Sequence, residues 1–127
     1  MNLDFKYTAD GLIPAIVREA TAPGRVLMMG WMNRQSLAKT LETGLLHYWS
    51  RSRNQLWLKG ETSGNTQRLI RWFTDCDRDS LLFEVEQNSG ACHTGYRSCF
   101  FQELDPFGES KLVSEERLFD PEKVYSK

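Results

Sequence analysis

Apolar residues along this chain fall in short runs, separated by glycine, proline and polar clusters, which is the pattern of strands joined by turns. Residues 12–17 are apolar and rich in β-branched side chains and predict a strand. Ala22-Pro23-Gly24 is a turn signal and residues 26–31 form another apolar run, so the two predict a hairpin. One segment shifts to a helical period. Asn33 suits an N-cap, Leu37, Ala38 and Leu41 share one face, and Gly44 suits a stop, which together predict a helix over residues 34–43. Strand patterns follow at residues 45–50, 56–59, 69–74, 81–85 and 100–104. Many strands with one or two short helices predict an α+β fold, a single domain on a mainly antiparallel sheet.

Beyond Asp105 the pattern dissolves. Residues 106–127 are rich in charge, with Leu112, Val113, Leu118 and Phe119 scattered among them, and predict a short helix near residues 114–119. The chain thus divides into a body, residues 1–104, and an accessory tail, residues 105–127, packed loosely on it.

Composition narrows the setting. At 127 residues the chain is long enough for one hydrophobic core. A formal net charge of −1 argues against bulk attraction to nucleic acid or to an anionic membrane. No apolar run approaches the roughly 18 residues needed to cross a bilayer. The stretch Met1-Asn2-Leu3-Asp4-Phe5-Lys6 lacks the charged-then-apolar plan of a signal peptide, so a cytoplasmic setting with reduced thiols is expected.

All three cysteines lie in two short stretches, Asp75-Cys76-Asp77-Arg78-Asp79 and Cys92-His93-Thr94-Gly95-Tyr96-Arg97-Ser98-Cys99. Thiolates suit zinc and carboxylates suit magnesium, so metal-dependent chemistry with two different ions is one outcome. In an extended chain Asp75, Asp77 and Asp79 would project to one side and Cys76 to the other. The same spacing opens an EF-hand calcium loop, with Glu86 at the twelfth position, but Ser80 takes the place of the required glycine. A solvated polar turn is the third outcome. For the thiols, Cys76, Cys92 and Cys99 could be three ligands of a zinc that keeps an open position, or buried inert side chains. His93 is placed either to move protons beside a metal or to serve as a structural imidazole. His47, within an apolar strand, reads as structural.

Residues 48–60 interleave aromatics with Arg51, Arg53 and Lys59. Arginine forks contact phosphate and aromatic faces stack on bases, so a small phosphorylated, base-containing ligand fits better than an extended RNA surface. The alternative is a core of Trp49 and Trp57 behind an ordinary solvated face. A zinc-stabilised nucleic-acid module and a structural calcium- or zinc-binding domain are the rival classes.

Ordered motifs then add a resemblance. Gly11-Leu12-Ile13-Pro14-Ala15, Tyr48-Trp49-Ser50-Arg51-Ser52-Arg53, Lys59-Gly60-Glu61-Thr62-Ser63-Gly64, Asp75-Cys76-Asp77, Cys92-His93-Thr94-Gly95 and Ser98-Cys99-Phe100 resemble the phosphoribosyl-AMP cyclohydrolases of histidine biosynthesis. The resemblance implies a hydrolase that opens the adenine ring of 1-(5-phosphoribosyl)-AMP. It implies zinc on Cys76, Cys92 and Cys99, magnesium on Asp75, Asp77 and Asp79, and a homodimer whose subunits share the zinc ligands. His93 would be the acid/base group, and Arg51, Arg53, Lys59 and Arg97 candidate phosphate contacts. One position departs from the pattern. Many members have His after Ser63-Gly64, where this chain has Asn65, which hydrogen-bonds but cannot titrate. That concentrates the acid/base expectation on His93.

Overall fold

A computed structural model describes residues 2–112 and 117–125. Strands β1 (Ile13–Glu19) and β2 (Val26–Met32) form the expected hairpin, pairing antiparallel from Ile13 with Met32 to Val17 with Met28. Helix α1 (Arg34–Thr43) follows. Strands β3 (His47–Ser50) and β4 (Gln55–Leu58) make a second hairpin. Strand β5 (Gln67–Thr74) turns into β6 (Leu81–Gln87), again antiparallel. Strands β7 (Gln102–Leu104) and β8 (Ser110–Leu112) form a small ribbon, and α2 (Pro121–Tyr125) comes last. The main sheet has the order β2-β1-β6-β5, so the fold is α+β with mainly antiparallel strands. The exception is central: β1 and β6 pair parallel, Ala15 beside Leu81 and Val17 beside Phe83.

Alternation explains which face is covered. Ile13, Ala15 and Val17 on β1 and Leu81, Phe83 and Val85 on β6 point inward and are buried. Leu37 from α1 and Leu46 and Tyr48 from the β3 segment join them. Gly30 leaves room for the Tyr48 ring, because a Cβ there would lie 2.6 Å from it. The Tyr48 hydroxyl donates to Gln67 Oε1 at 2.5 Å, and Gln67 Nε2 donates to Gln87 Oε1 at 2.8 Å, so the polar atoms in this core are partnered.

Helix α1 starts and stops where the sequence signals lie. Ser36 N donates to Asn33 Oδ1 at 2.8 Å, and Gly44 takes the left-handed conformation at φ 76°. Its buried face is less apolar than expected, consisting of Ser36, Leu37 and Thr40. Thr40 Oγ1 accepts from His47 N at 2.9 Å, fastening the helix to β3 through a polar contact.

Some boundaries differ from expectation, each for a backbone reason. Strand β3 begins at His47 rather than Leu45, because Leu45 bridges Arg68 and Leu46 N donates to Gln67 O at 3.0 Å. The strand expected from Phe100 begins at Gln102, since Cys99 N is committed to Leu27 O at 2.7 Å and Phe100 N to Ser98 Oγ at 2.9 Å. Of the helix expected near residues 114–119, residues 114–116 lie outside the described residues and 117–119 are not helical. The short helix lies instead at Pro121–Tyr125, where Glu122 N donates to Asp120 Oδ1 at 3.0 Å.

The buried tyrosine gives a stability prediction. Tyr48→Phe leaves Gln67 Oε1 without its donor in the core and is expected to cost about 1–3 kcal/mol. Urea unfolding measures this, and an unchanged midpoint would contradict the role given to the hydroxyl.

Candidate active site

The three aspartates do converge, but not through an extended chain. Residues 75–79 form the turn between β5 and β6, and Arg78 sits at φ 60°, in the left-handed region. Asp75 organises the turn: Oδ1 accepts from Asp79 N at 3.0 Å and Ser80 N at 3.3 Å, and Oδ2 from Ser80 Oγ at 2.6 Å. As a result a carboxylate oxygen from each of Asp75, Asp77 and Asp79 lies within 4.8 Å of the others. The Ser80 hydroxyl, with further hydrogen bonds from Asp79, holds Asp75 well below the usual carboxylate range. Asp79 is pushed up to about 6, first by its hydrogen bond with Asp75 and then by that with Asp77. Carboxyl groups that must share a proton are a donor set suited to a hard dication. The flanking elements are strands, and the sixth position is Ser80, so an EF-hand does not fit.

Two of the three thiols also lie near each other. Cys92 is buried, its Sγ 2.8 Å from Thr94 Oγ1, and Cys99 lies close enough to feel its charge. Cys99 is exposed as a residue, but desolvation of its thiol, and then the neighbouring Cys92, push it up to about 11. A thiol pair crowded in this way suits a thiophilic cation, which would hold both as thiolates. Cys99 is anchored by its N–H to Leu27 O, and Ser98 Oγ donates to Val26 O at 2.7 Å, fixing this arm to β2. Gly95 closes the loop at φ 101°, with its carbonyl accepting from Leu118 N of the tail at 2.6 Å. Cys76 is elsewhere, exposed in the acidic turn, and the three thiols do not form one group among the described residues. The reason is topological. The acidic turn precedes β6 and the thiol loop follows it, and a seven-residue strand is about 23 Å long.

Beside the thiol loop is a cleft of about 380 Å³, walled by the β3–β4 hairpin and the loop after it. Arg53, Lys59 and His93 are brought together in its lining, with Trp57 and Ser63. Arg51 and Arg97 lie outside it. The Arg51 guanidinium sits 4.8 Å above the Trp31 ring, and Arg97 Nε approaches Glu19 at 3.7 Å in a separate cavity of about 650 Å³. Glu61, Thr62 and Ser63 also line the cleft; they belong to the Lys59–Gly64 motif, which carried no role for them individually. The signal was the pair of glycines around them: at Gly60, φ 88°, a Cβ would lie 2.6 Å from the backbone of Asn65 and Thr66. Asn65 is buried behind the cleft, its carbonyl accepting from Gln87 Nε2 at 3.1 Å. His47 is buried, with Nδ1 2.7 Å from Leu45 O, as expected of a structural imidazole.

Comparison with known proteins shows the family of the chain. The phosphoribosyl-AMP cyclohydrolase family model matches residues 28–101, which include the hairpin, the acidic turn and the thiol loop. A phosphoribosyl-AMP cyclohydrolase of Pelotomaculum thermopropionicum is 55% identical over 122 residues, covering 96% of this chain and 93% of the relative. One of Thioalkalivibrio sulfidiphilus is 56% identical over 120 residues, covering 94% and 89%. One of Methanothermobacter thermautotrophicus is 49% identical over 127 residues, covering 97% and 90%. The class is therefore that of a hydrolytic enzyme on a small α+β sheet. The chain belongs to the phosphoribosyl-AMP cyclohydrolase family. Among the described residues, no helix is long and apolar enough to cross a membrane.

The acidic turn makes a prediction that needs no ligand. In protein stripped of divalent cations, carboxyl ¹³C NMR is expected to show Asp79 titrating near 6. Asp77→Asn removes one carboxylate neighbour and should bring Asp79 down toward its ordinary range. An Asp79 that already titrates in that range in the parent protein would refute the shared-proton account.

Proposed function

We propose that the chain is a cytoplasmic, zinc-dependent hydrolase that opens the adenine ring of 1-(5-phosphoribosyl)-AMP in histidine biosynthesis. The observation that carries this reading is identity above half to named cyclohydrolases over nearly the whole chain. Water adds to the ring carbon that bears the exocyclic nitrogen, and the bond from that carbon to the ribosylated ring nitrogen breaks. The product is the formimino carboxamide ribonucleotide.

The chain's own residues divide the work. His93, exposed on the cleft wall, takes a proton from the attacking water and returns one to the departing ring nitrogen. Arg53, in the lining of the same cleft, binds phosphate ahead of Arg51 and Arg97, which lie outside it. Zinc, when bound by Cys92, Cys99 and Cys76, supplies the Lewis acidity that brings water ionisation toward neutral pH. Magnesium on Asp75, Asp77 and Asp79 supplies positive charge for the substrate's phosphates.

Because Cys76 and the Cys92–Cys99 pair lie apart, the proposal includes a homodimer in which one copy completes the other's thiol set. The outer face of the main sheet supports this. Met29, Ile16, Leu82 and Phe73 are aligned in register across β2, β1, β6 and β5. Met29, Ile16 and Phe73 are between 40% and 47% exposed, an apolar row wide enough to seat a second sheet.

Turnover is tested by the ultraviolet spectrum of phosphoribosyl-AMP, which should change as the ring opens with zinc- and magnesium-replete protein. No change would refute the proposed activity. His93→Ala is expected to keep its zinc and slow turnover about 10²- to 10⁴-fold, whereas Cys92→Ser should lose zinc and activity together. Unslowed turnover in the first, or activity without zinc in the second, would remove the role concerned. Ile16→Glu places a charge in the middle of the apolar row and is expected to give a monomer by light scattering, with zinc content falling alongside. A dimeric Ile16→Glu protein with full zinc would rule out this face.

A further inference from the structure

The cleft lining contains a cation whose end is bonded to the protein's own backbone. Lys59 follows β4 and lies in the cleft wall, where its charge and position suggest a phosphate contact. Its Nζ instead donates to Ala91 O at 2.6 Å. Ala91 is buried and is the first residue of the thiol loop: its N–H donates to Arg97 O at 3.0 Å, and Cys92 N donates to Tyr96 O at 3.2 Å. The loop is therefore held by anchors of different kinds, besides the Leu118 N–H on the Gly95 carbonyl. The Cys99 arm is held by backbone and hydroxyl bonds to β2. The Cys92–His93 arm, bonded within the loop through Ala91 N, Cys92 N and Cys92 O, is tied to the end of β4 by the Lys59 ammonium. The start of the tether is itself fixed, because Lys59 N donates to Leu46 O at 3.1 Å and Gly60 packs directly against the Asn65–Thr66 backbone.

We propose that Lys59 is a positioning residue, which sets the Cys92–His93 arm against the cleft by donating Nζ to the Ala91 carbonyl rather than by binding substrate phosphate. This deepens the hydrolase reading and rests on it for the consequence in turnover, but the tether itself is a property of the protein alone. A charged donor bonded to a carbonyl in a largely desolvated site is worth more than an exposed one, and its loss frees the arm that carries both a thiol and the acid/base imidazole. Desolvation also lowers the Lys59 pKa, partly opposed by the nearby Cys99 and Cys92 thiols, in keeping with an ammonium turned inward from solvent.

The test compares Lys59→Met, which keeps the length of the side chain and removes the donor, with Lys59→Arg, which keeps a cationic donor. In metal-free protein, amide exchange at Ala91 and Cys92 is expected to accelerate at least about tenfold in Lys59→Met, with most of that protection restored in Lys59→Arg. In turnover, kcat is expected to fall about 10- to 100-fold with KM little changed. A raised KM with unchanged kcat and unchanged amide exchange would mean that Lys59 binds phosphate, and would overturn the proposal. If Lys59→Met does not fold, the unmodified protein decides. Its Lys59 ammonium should give a slowly exchanging ¹⁵N–¹H signal with coupling to the Ala91 carbonyl carbon, and absence of both would overturn the tether. A parent protein with the tether but no ring opening would refute the hydrolase reading and leave Lys59 as assigned.

Discussion

The parallel pairing of β1 with β6 is the contact on which the rest of the molecule hangs. Ala15 lies beside Leu81 across the centre of the sheet, and parallel neighbours cannot be joined by a tight turn. Everything between them becomes one long crossover: the β2 return, α1, the β3–β4 hairpin and β5. Once β6 is placed, the acidic turn lies at its start and the chain leading to the thiol loop leaves its end. The separation of Cys76 from Cys92 and Cys99 follows from that single strand rather than from any property of the cysteines.

Both chemical loops are short, polar and fixed by bonds to their own backbone. In the acidic turn, Asp75 accepts two N–H groups and a hydroxyl, so one carboxylate of the cluster also shapes the turn that gathers all three. A left-handed Arg78 completes it, and its carbonyl accepts from Lys6 N at 2.7 Å while its guanidinium covers Phe5. The segment before β1 thereby braces the turn. In the thiol loop, Ser98 and Cys99 add to the free edge of β2, which covers backbone groups that an edge strand would leave unpaired. Structure that blunts an edge and structure that holds a thiol are here the same residues.

The sheet is finished on one side only. Its inner face is closed by α1 and the second hairpin, while its outer face carries an apolar row crossing all four strands. Beside that row runs a charged one, in which buried Glu84 accepts from Arg71 at 2.8 Å and lies 3.6 Å from Arg18. A buried carboxylate with two arginines is the compensated form of an otherwise costly group. It gives the outer face a polar border next to its apolar stripe.

Local signals were legible in the sequence wherever one residue type has one physical reason to occur. Asn33 and Gly44 bound α1 because a side-chain acceptor and a left-handed residue are needed at its two ends. The first hairpin, the strands around the acidic turn and the overall α+β class follow from apolar runs and their interruptions. The aspartates were recognisable as a group, yet alternation along an extended chain was the wrong geometry, because it takes no account of the carboxylate that bends its own backbone. Which cations share a cleft could not be seen in the sequence at all. Arg51, Arg53, Lys59 and Arg97 look alike as charges, but the fold stacks one on Trp31, turns one toward Glu19, ties one to Ala91 and leaves Arg53 in the cleft lining with His93. Sequence by itself determined the elements, the chemical inventory and the family, because these depend on neighbours along the chain. Only the tertiary structure decided which thiols meet and which way each charge points, because those depend on strand order and on carbonyls distant in sequence.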